Sequence, residues 1–282
     1  MTNVRETFAE PITKEKIFGW HSLLTFKQRN IIIGGWREGD EPMQVISGSA
    51  GKEEIHFEAP DSASVPFEMN RFIEWFNSSA PGGENEIKHA VIRSGIAHLY
   101  FETIHPFEDG NGRIGRAIAQ KCLSQTLKRP LMLTLSNVIE RDKKVYYAAL
   151  KEAQRTNEIT NWLRYFIETA LTAQSEVKEL FSFTIKKAQF YDKFRNQLNP
   201  RQLKVVGKMF EAGKEGFEGG MTAKKYMAIT KASKATATRD LQDLNSLDAF
   251  PFIGETRNVN YQIVMDLYSL VFRPSSVGVS YV

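Results

Sequence analysis

Apolar side chains recur at helical spacing through most of the chain. Ile17, Trp20, Leu23 and Leu24 form one such stripe, and a longer one runs through residues 87–104. Apolar residues three and four positions apart lie on one face of an α-helix, the face that packs into a core. The pattern predicts helices over residues 13–26, 67–76, 87–104, 111–127, 139–154 and 161–191.

One early segment breaks this helical period. Two short apolar runs, residues 45–46 and 55–57, lie on either side of the small residues 47–51, and Pro60 follows. Apolar runs separated by glycine and serine are typical of paired strands. We therefore expect a β-hairpin inserted into an otherwise helical domain.

A second unit begins at Pro200, after a polar stretch. Three helices and two short strands are predicted in it, over residues 201–212, 222–229, 233–247 and within 250–263. Three helices followed by a hairpin is the order of elements in a winged helix-turn-helix. The predicted fold class is mainly α: a helical bundle with an inserted hairpin over residues 1–198, followed by a small winged helix domain over residues 199–282.

Composition narrows the class of protein only slightly. The 282-residue chain is 42% hydrophobic and 25% charged, as ordinary globular proteins are, and its net charge of +4 permits an anionic partner such as a nucleotide or nucleic acid. Its single cysteine, Cys122, cannot form an internal disulfide, which fits a reducing compartment. No run of about 18 apolar residues and no secretory signal is found. We expect a cytoplasmic protein with no membrane partner.

The segment from His105 to Arg116 is a polar, glycine-rich loop between two apolar helical patterns. Glycine readily adopts the positive φ that turns successive backbone N–H groups toward one point. Here those groups meet the start of the next helix, where the helix dipole also favours negative charge. We expect the loop to form an anion cradle lined by Gly110, Asn111 and Gly112.

Side chains that suit phosphate chemistry lie beside this cradle. Arg113 and Arg116 are three residues apart and share one helix face, where two guanidinium groups suit a polyphosphate. Asp109 can hold magnesium together with substrate phosphates, and His105 is the candidate general base. Taken singly, His105 would be an ordinary loop histidine, Asp109 part of a turn, and the two arginines a solvated helix face. Together they predict a site for attack on a nucleotide phosphate.

The segment HPFEDGNGRIGR resembles the signature of the Fic family at every defined position: His, any, Phe, any, Asp or Glu, Gly, Asn, Gly, Arg, any, any, Arg. The helical pattern and the early hairpin resemble that family over about residues 10–195. The resemblance implies a Fic-type helical bundle. It also implies a bacterial nucleotidyltransferase that moves AMP from ATP to a Ser, Thr or Tyr hydroxyl of a target protein, a reaction called AMPylation.

The resemblance also implies a role for each motif residue. His105 would deprotonate the target hydroxyl, and Asp109 would hold Mg²⁺ at the α- and β-phosphates of ATP. Arg113 would support the phosphates, and Arg116 would clamp the γ-phosphate. The nest for the α- and β-phosphates would be lined by Gly110, Asn111 and Gly112.

Two further parts of the domain have counterparts in the family. The hairpin matches the family's flap, along whose edge an extended target segment adds as a strand, so His56 and Phe57 would bracket the target hydroxyl. Tyr146 and Tyr147 lie in the region that lines the adenine pocket in similar proteins, and tyrosine suits purine stacking. The alternatives are a hairpin without a client and two tyrosines that belong to the core.

Many Fic proteins carry an inhibitory helix whose glutamate pairs with the second arginine of the motif, here Arg116. Its pattern is Ser or Thr, three residues, Glu, then Gly or Asn. Residues 2–6 and 136–140 have the spacing, but Thr7 and Arg141 follow them. Three explanations stay open: the chain lacks internal inhibition, such a helix was lost from its start, or an inhibitory partner protein supplies the glutamate.

The C-terminal unit is mildly basic, with ten Lys or Arg against seven Asp or Glu over residues 201–263. DNA binding is one interpretation, because small and basic residues cluster near the expected recognition helix and wing. Protein contacts, including a homodimer, are the other. The residues that would approach DNA are Lys231, Lys234, Thr236, Thr238, Arg239 and Arg257.

Two other functions remain open on the sequence alone. The same scaffold could remove AMP or transfer another phosphate-containing group. A DNA-binding transcriptional regulator that senses nucleotide is the third hypothesis, although a sensor needs no base such as His105.

Overall fold

The structure is a computed structural model that describes residues 2–40, 43–47, 54–213, 219–247, 252–253 and 260–261. The chain divides into two compact units, residues 1–177 and 178–282, and the division falls within a long helix, Thr160–Phe194. The boundary between domains at 198/199 stays a prediction.

The first unit is mainly helical, as the sequence predicts, and one short N-terminal helix was not foreseen. Two strands interrupt the helices where the hairpin is expected. The elements in chain order are α1 Thr2–Glu6, α2 Lys14–Thr25, β1 Gln44–Ser47, β2 Glu54–Glu58, α3 Val65–Ser78, α4 Ala90–Ile104, α5 Asn111–Thr126, α6 Leu135–Arg141, α7 Lys143–Ala153 and α8 Thr160–Phe194.

Residues 139–154 are mostly helical, as predicted, and two helices, α6 and α7, cover this region with a break between them. The chain leaves the helical conformation at Asp142, whose φ is −140° and ψ is 68°. Its carboxylate accepts a hydrogen bond from the backbone N–H of Val145 at 3.2 Å and so caps α7. Aspartate favours this capping position over a helix interior, which explains the break.

Strands β1 and β2 pair antiparallel, with Gln44 opposite Glu58 and Ser47 opposite Glu54, and the register shifts between Val45 and Ile46. The chain that joins them lies outside the described residues. The paired strands fit the expected hairpin, and its role as a flap stays a prediction.

Helices α4 and α5 form the centre of the first unit. Their facing sides bury apolar residues such as Phe101 and Ile118, against which Phe72 and Phe76 of α3 pack. A second cluster forms around Trp162 and Phe166 of α8. Each large side chain buried in this way stabilises the fold by about 1.5–3 kcal/mol. The packing fixes the end of α4 and the start of α5, between which the polar loop lies.

The second unit contains the end of α8 followed by α9 Pro200–Glu211, α10 Ala223–Thr230, α11 Lys234–Ser246, β3 Phe252–Ile253 and β4 Asn260–Tyr261. Strands β3 and β4 pair antiparallel. Buried Asp240 joins the three helices, since it accepts hydrogen bonds from Arg201 Nε and the Tyr226 hydroxyl, both at 2.7 Å. This order of elements fits the predicted winged helix, which stays a prediction. Arg257 lies outside the described residues.

Within the described parts of the chain, no helix has the length and apolar character needed to cross a membrane.

Candidate active site

His105 ends helix α4 in a left-handed conformation, with φ 50° and ψ 58°. Such a residue at a helix C-terminus turns the chain sharply, and here its N–H still donates to the Phe101 carbonyl at 3.0 Å. Buried Arg37 holds the turn from outside, because its Nε donates to the His105 carbonyl at 2.8 Å. The same guanidinium donates to Ser62 Oγ at 2.8 Å, just before α3. The backbone at His105 therefore forms a rigid corner, from which the imidazole projects.

The next residues are locked to the start of α5 by a reciprocal amide contact. Phe107 N–H donates to Asn111 Oδ1 at 2.9 Å, and Asn111 Nδ2 donates back to the Phe107 carbonyl at 2.6 Å. Both residues are buried. Phe107 is thus an apolar anchor of the loop, and the Asn111 side chain shapes the loop rather than facing a ligand.

His21 supports the same loop from α2. Its ring stacks on Phe107 with centroids 3.9 Å apart and planes 4° from parallel. Its Nδ1 accepts from the Gly34 N–H at 3.0 Å, so Nε2 carries the proton and donates to the Asp109 carbonyl at 3.0 Å. Periodicity could not reveal this role, because the contact joins residues far apart in the chain.

The start of α5 presents unpaired backbone donors. Gly110 precedes the helix with φ 89°, a conformation that favours glycine, and no side chain caps this end. The N–H groups of Arg113 and Ile114 both reach the Gly110 carbonyl. The N–H groups of Asn111 and Gly112 have no partner among the described residues. This is the arrangement in which a helix N-terminus binds an anion.

Asp109 stands beside these donors as an ionised carboxylate. Its Oδ1 accepts from the Gly110 N–H at 2.6 Å, and its Oδ2 accepts from Gln28 and from Arg113 Nη2, the latter at 3.0 Å. Burial alone would raise the pKa of Asp109, but the hydrogen bonds from Gln28 and Gly110 outweigh it and lower the pKa. No cluster of three or more metal-ligating side chains occurs among the described residues. One half-exposed carboxylate fits a magnesium ion held mainly by phosphates and water.

Arg116 has no acidic partner in the described part of the chain. Its Nε donates to Ser136 Oγ at 2.8 Å. Glu140, one of the two glutamates with inhibitory spacing, pairs instead with Lys143 at 2.6 Å. Neither Glu140 nor Glu6 forms an ion pair with Arg116 among the described residues.

Two pockets meet at the loop, and we call them the inner and the outer pocket. The inner pocket is a small cavity of about 90 Å³, and the outer pocket is larger and more open, at about 330 Å³. Both are lined by His105, Gly112, Arg116, Tyr146 and Tyr147. The inner pocket adds Phe57, Glu102, Leu150, Lys151 and Gln154. The outer pocket adds Glu108, Asp109, Gly110, Asn111, Arg113, Ile139, Glu140 and Lys143.

The sequence-predicted residues therefore surround one place, with one exception. Tyr146 is both core and lining: its side chain is buried, and its hydroxyl is 3.0 Å from His98 Nε2. Phe57 reaches the inner pocket from β2. The side chain of His56 lies outside what the structure describes.

The environment of His105 keeps its imidazole neutral. Burial lowers the pKa of His105 to about 4, Arg37 adds to this effect, and the Glu102 carbonyl and Asp109 oppose it. Its Nδ1 is buried without a hydrogen-bond partner among the described residues. A neutral ring keeps a lone pair available at pH 7, as a general base requires.

Comparison with known proteins agrees with this geometry. Residues 11–123, which contain the loop and the helices on both sides of it, match the model of the Fic/DOC family. Over these residues the chain is similar to the Fic/DOC family. The loop described above, from His105 to Arg116, lies inside the matched segment.

Curated relatives of this part of the chain carry adenylyltransferase names. The chain is 31% identical over 147 residues to a probable protein adenylyltransferase from Aquifex aeolicus, a match over 50% of this chain and 39% of that protein. It is 30% identical over 106 residues to the protein adenylyltransferase Fic from Nematostella vectensis, over 38% of this chain and 22% of that protein. The matches span well under half the length of these relatives.

A solved structure supports the fold. The chain resembles a crystal structure of a Fic family protein from Desulfovibrio desulfuricans with a TM-score of 0.51 and 19% identity, over 93% of this chain and 72% of that one. At this identity the likeness concerns the fold alone.

Proposed function

We propose that the protein is an adenylyltransferase that moves AMP from ATP to a Ser, Thr or Tyr hydroxyl of a target protein. One observation carries this proposal: His105 lies where the inner and outer pockets meet. The outer pocket offers the unpaired N–H groups and two arginines, which suit phosphates. The inner pocket offers two tyrosines, which suit a base. A nucleotide that occupies both would bring its α-phosphate near His105.

The proposed reaction needs one base and a charged cradle. The target hydroxyl attacks the α-phosphorus, its proton passes to the His105 ring, the bond to the β-phosphate oxygen breaks, and pyrophosphate leaves. Asn111 and Gly112 N–H groups stabilise charge on the phosphates, while Arg113 supports them and Arg116 holds the γ-phosphate. Tyr146 and Tyr147 would line the pocket wall next to the adenine base of ATP.

Magnesium fits this site as part of the substrate. Asp109 is ionised and half-exposed at the edge of the outer pocket, so it would hold Mg²⁺ with the ATP phosphates. The ion would offset phosphate charge when bound. The contacts of Gln28 and Arg113 with Asp109 keep the carboxylate oriented toward the pocket.

The acceptor would bind along the paired strands. Phe57 lines the inner pocket next to His105, which supports a flap that presents an extended target segment near the base. His56 is the second residue proposed to bracket the acceptor hydroxyl. Since Arg116 has no acidic partner among the described residues, we propose that this form is uninhibited and that an inhibitory glutamate would come from elsewhere, such as a partner protein.

We propose that residues 199–282 form a winged helix-like domain. Helix α11 exposes Lys234, Thr238 and Arg239 on its surface, as a DNA-reading helix would. The modest charge leaves a protein partner or a homodimer as the alternative, which a gel shift with DNA fragments would separate from DNA binding.

Mass spectrometry of acceptors tests the proposed function. A bacterial lysate treated with ATP, Mg²⁺ and the wild-type chain should gain AMP on a Ser, Thr or Tyr side chain of at least one protein. The same lysate treated with a His105→Ala variant should gain none. AMP loss from modified proteins, with no AMP gain, would instead favour the reverse reaction.

A further inference from the structure

Glu102 is a buried acid that the proposed reaction does not use. It lies on α4, one turn before His105, and only 5% of it is exposed. It nevertheless lines the inner pocket. Space for it exists because position 115 is glycine: a Cβ there would collide with Glu102 Oε1.

No group within the described protein satisfies this carboxyl. Its Oε1 is buried without a hydrogen-bond partner among the described residues. The ring of His98 also lies beside Gly115: its Nε2 contacts the Tyr146 hydroxyl, and its Nδ1 is likewise buried without a partner among the described residues. Buried polar groups without partners are unfavourable and rare in folded proteins, and the carboxyl that carries this oxygen also lines the inner pocket, where a ligand can offer hydrogen bonds.

The carboxyl can act as donor and acceptor at once. Burial raises the pKa of Glu102 to about 7, with Arg116 opposing the rise. Below that pH the group is mostly protonated, and a protonated carboxyl offers an O–H donor beside a carbonyl acceptor. Glu102 lines the same pocket as Tyr146 and Tyr147, which suit the face of a base. The Glu102 carboxyl is therefore suited to the edge of such a base.

We propose that Glu102 is the specificity residue of the inner pocket and hydrogen-bonds the polar edge of the adenine base, giving its O–H to a ring nitrogen and accepting from the amino group beside it. The proposal rests on the proposed function, which seats a nucleotide in these pockets. It predicts that the amino group of the base contributes to binding only while residue 102 can accept from it.

Equilibrium binding of the full chain tests this without any transfer. Two nucleotides are compared with Mg²⁺ present, at a pH below about 7: ATP, and the analogue whose purine lacks the amino group. Wild type should bind ATP about tenfold more tightly than the analogue, the discrimination expected of one well-placed donor–acceptor pair. Glu102→Gln, which keeps a donor and an acceptor, should retain most of this preference.

Glu102→Met removes both hydrogen-bonding atoms at similar length and should reduce the preference to nearly one. Its thermal unfolding, compared with that of Glu102→Gln, verifies that the fold persists. If Glu102→Met weakens ATP and the analogue equally, the residue only shapes the pocket or contacts the sugar, and the proposal is wrong. A lasting preference in Glu102→Met would contradict it equally.

The proposal and the proposed function fail in different ways. Base discrimination that depends on residue 102 in a chain that transfers no AMP would leave the specificity assignment standing and overturn the transferase. AMP transfer with unchanged discrimination in Glu102→Met would do the opposite.

Discussion

Arg37 donates from its Nε to the carbonyl of His105 at 2.8 Å. The other hydrogen bonds of Arg37 also join it to residues distant in the chain. Its backbone N–H donates to the Pro106 carbonyl at 2.9 Å, and its Nη1 donates to Ser62 Oγ at 2.8 Å. One buried guanidinium thus connects the start of α3, the chain beyond the paired strands and the left-handed corner that carries the candidate base.

Replacing Arg37 by lysine should therefore affect both stability and the rate of transfer. Lysine keeps the charge but cannot reproduce several fixed N–H directions, so we expect a loss of about 1.5–3 kcal/mol in the free energy of unfolding. The turnover rate should fall more than ATP affinity, since Arg37 lines neither pocket. Denaturant unfolding and steady-state kinetics measure the two effects.

Arg71 provides the matched control for that variant. It is exposed and pairs with Glu68 at 3.5 Å on the surface of α3. Arg71→Lys should change the free energy of unfolding by less than about 1 kcal/mol. Equal losses in the two variants would show that Arg37 has no special role.

His21→Phe should destabilise the loop from His105 to Arg116 while keeping the packing on Phe107. Phenylalanine can still stack on Phe107, but the Asp109 carbonyl and the Gly34 N–H lose their partners. Leaving such groups unsatisfied costs about 1–3 kcal/mol, and the displaced loop should bind ATP less tightly. Calorimetric titration with ATP and Mg²⁺ measures the affinity. The exposed His89→Phe serves as control, and unchanged affinity in His21→Phe would refute the supporting role.

The pH dependence of stability should reveal the buried Glu102 carboxyl. Its folded pKa, about 7, is above the unfolded value of 4.5, so the folded state binds the proton more tightly. The stability from this group is present below pH 4.5 and is lost as pH rises through 7. At higher pH the loss approaches about 3 kcal/mol at most.

Glu102→Gln removes this ionisation and should be more stable than wild type above pH 7. The difference should narrow as pH falls toward 4.5. Denaturant unfolding at a series of pH values measures it, and parallel curves for the two proteins would show that Glu102 does not titrate on folding.

His105, the candidate general base, should titrate at a much lower pH than an ordinary histidine does. Burial lowers the pKa of His105 to about 4, so its ring stays neutral where an exposed histidine, near 6.5, would charge. NMR titration of the chain, with His105→Ala to assign the signal, should find a ring that remains neutral through pH 6. A His105 signal that shifts near 6.5 would contradict the burial seen in this structure.

Sequence reasoning found the loop because its chemistry is contiguous. His105, Asp109 and the two arginines lie within one turn and the helix that follows, and the helices on either side have clear apolar stripes. The position of the break at Asp142 is harder to predict because apolar residues continue on both sides of it, although aspartate before a helix is a capping signal. The spacing of apolar residues alone does not show whether this capping signal or the continuing apolar pattern decides the structure.

The supporting residues could not be found in the same way. Arg37 and His21 act on residues 68 and 88 positions away, and Glu102 matters because its neighbour across the helix interface is Gly115. These contacts depend on how α2, α4 and α5 pack. A single sequence shows which residues are polar, but not which of them the fold brings to one loop.

The most direct measurement compares ATP labelled on the α-phosphate with ATP labelled on the γ-phosphate, with Mg²⁺, a lysate and either wild type or His105→Ala. AMP transfer predicts that the α-label alone enters protein, and that this label disappears with His105→Ala. Label from the γ-phosphate on protein, or α-label that persists without His105, would contradict the account.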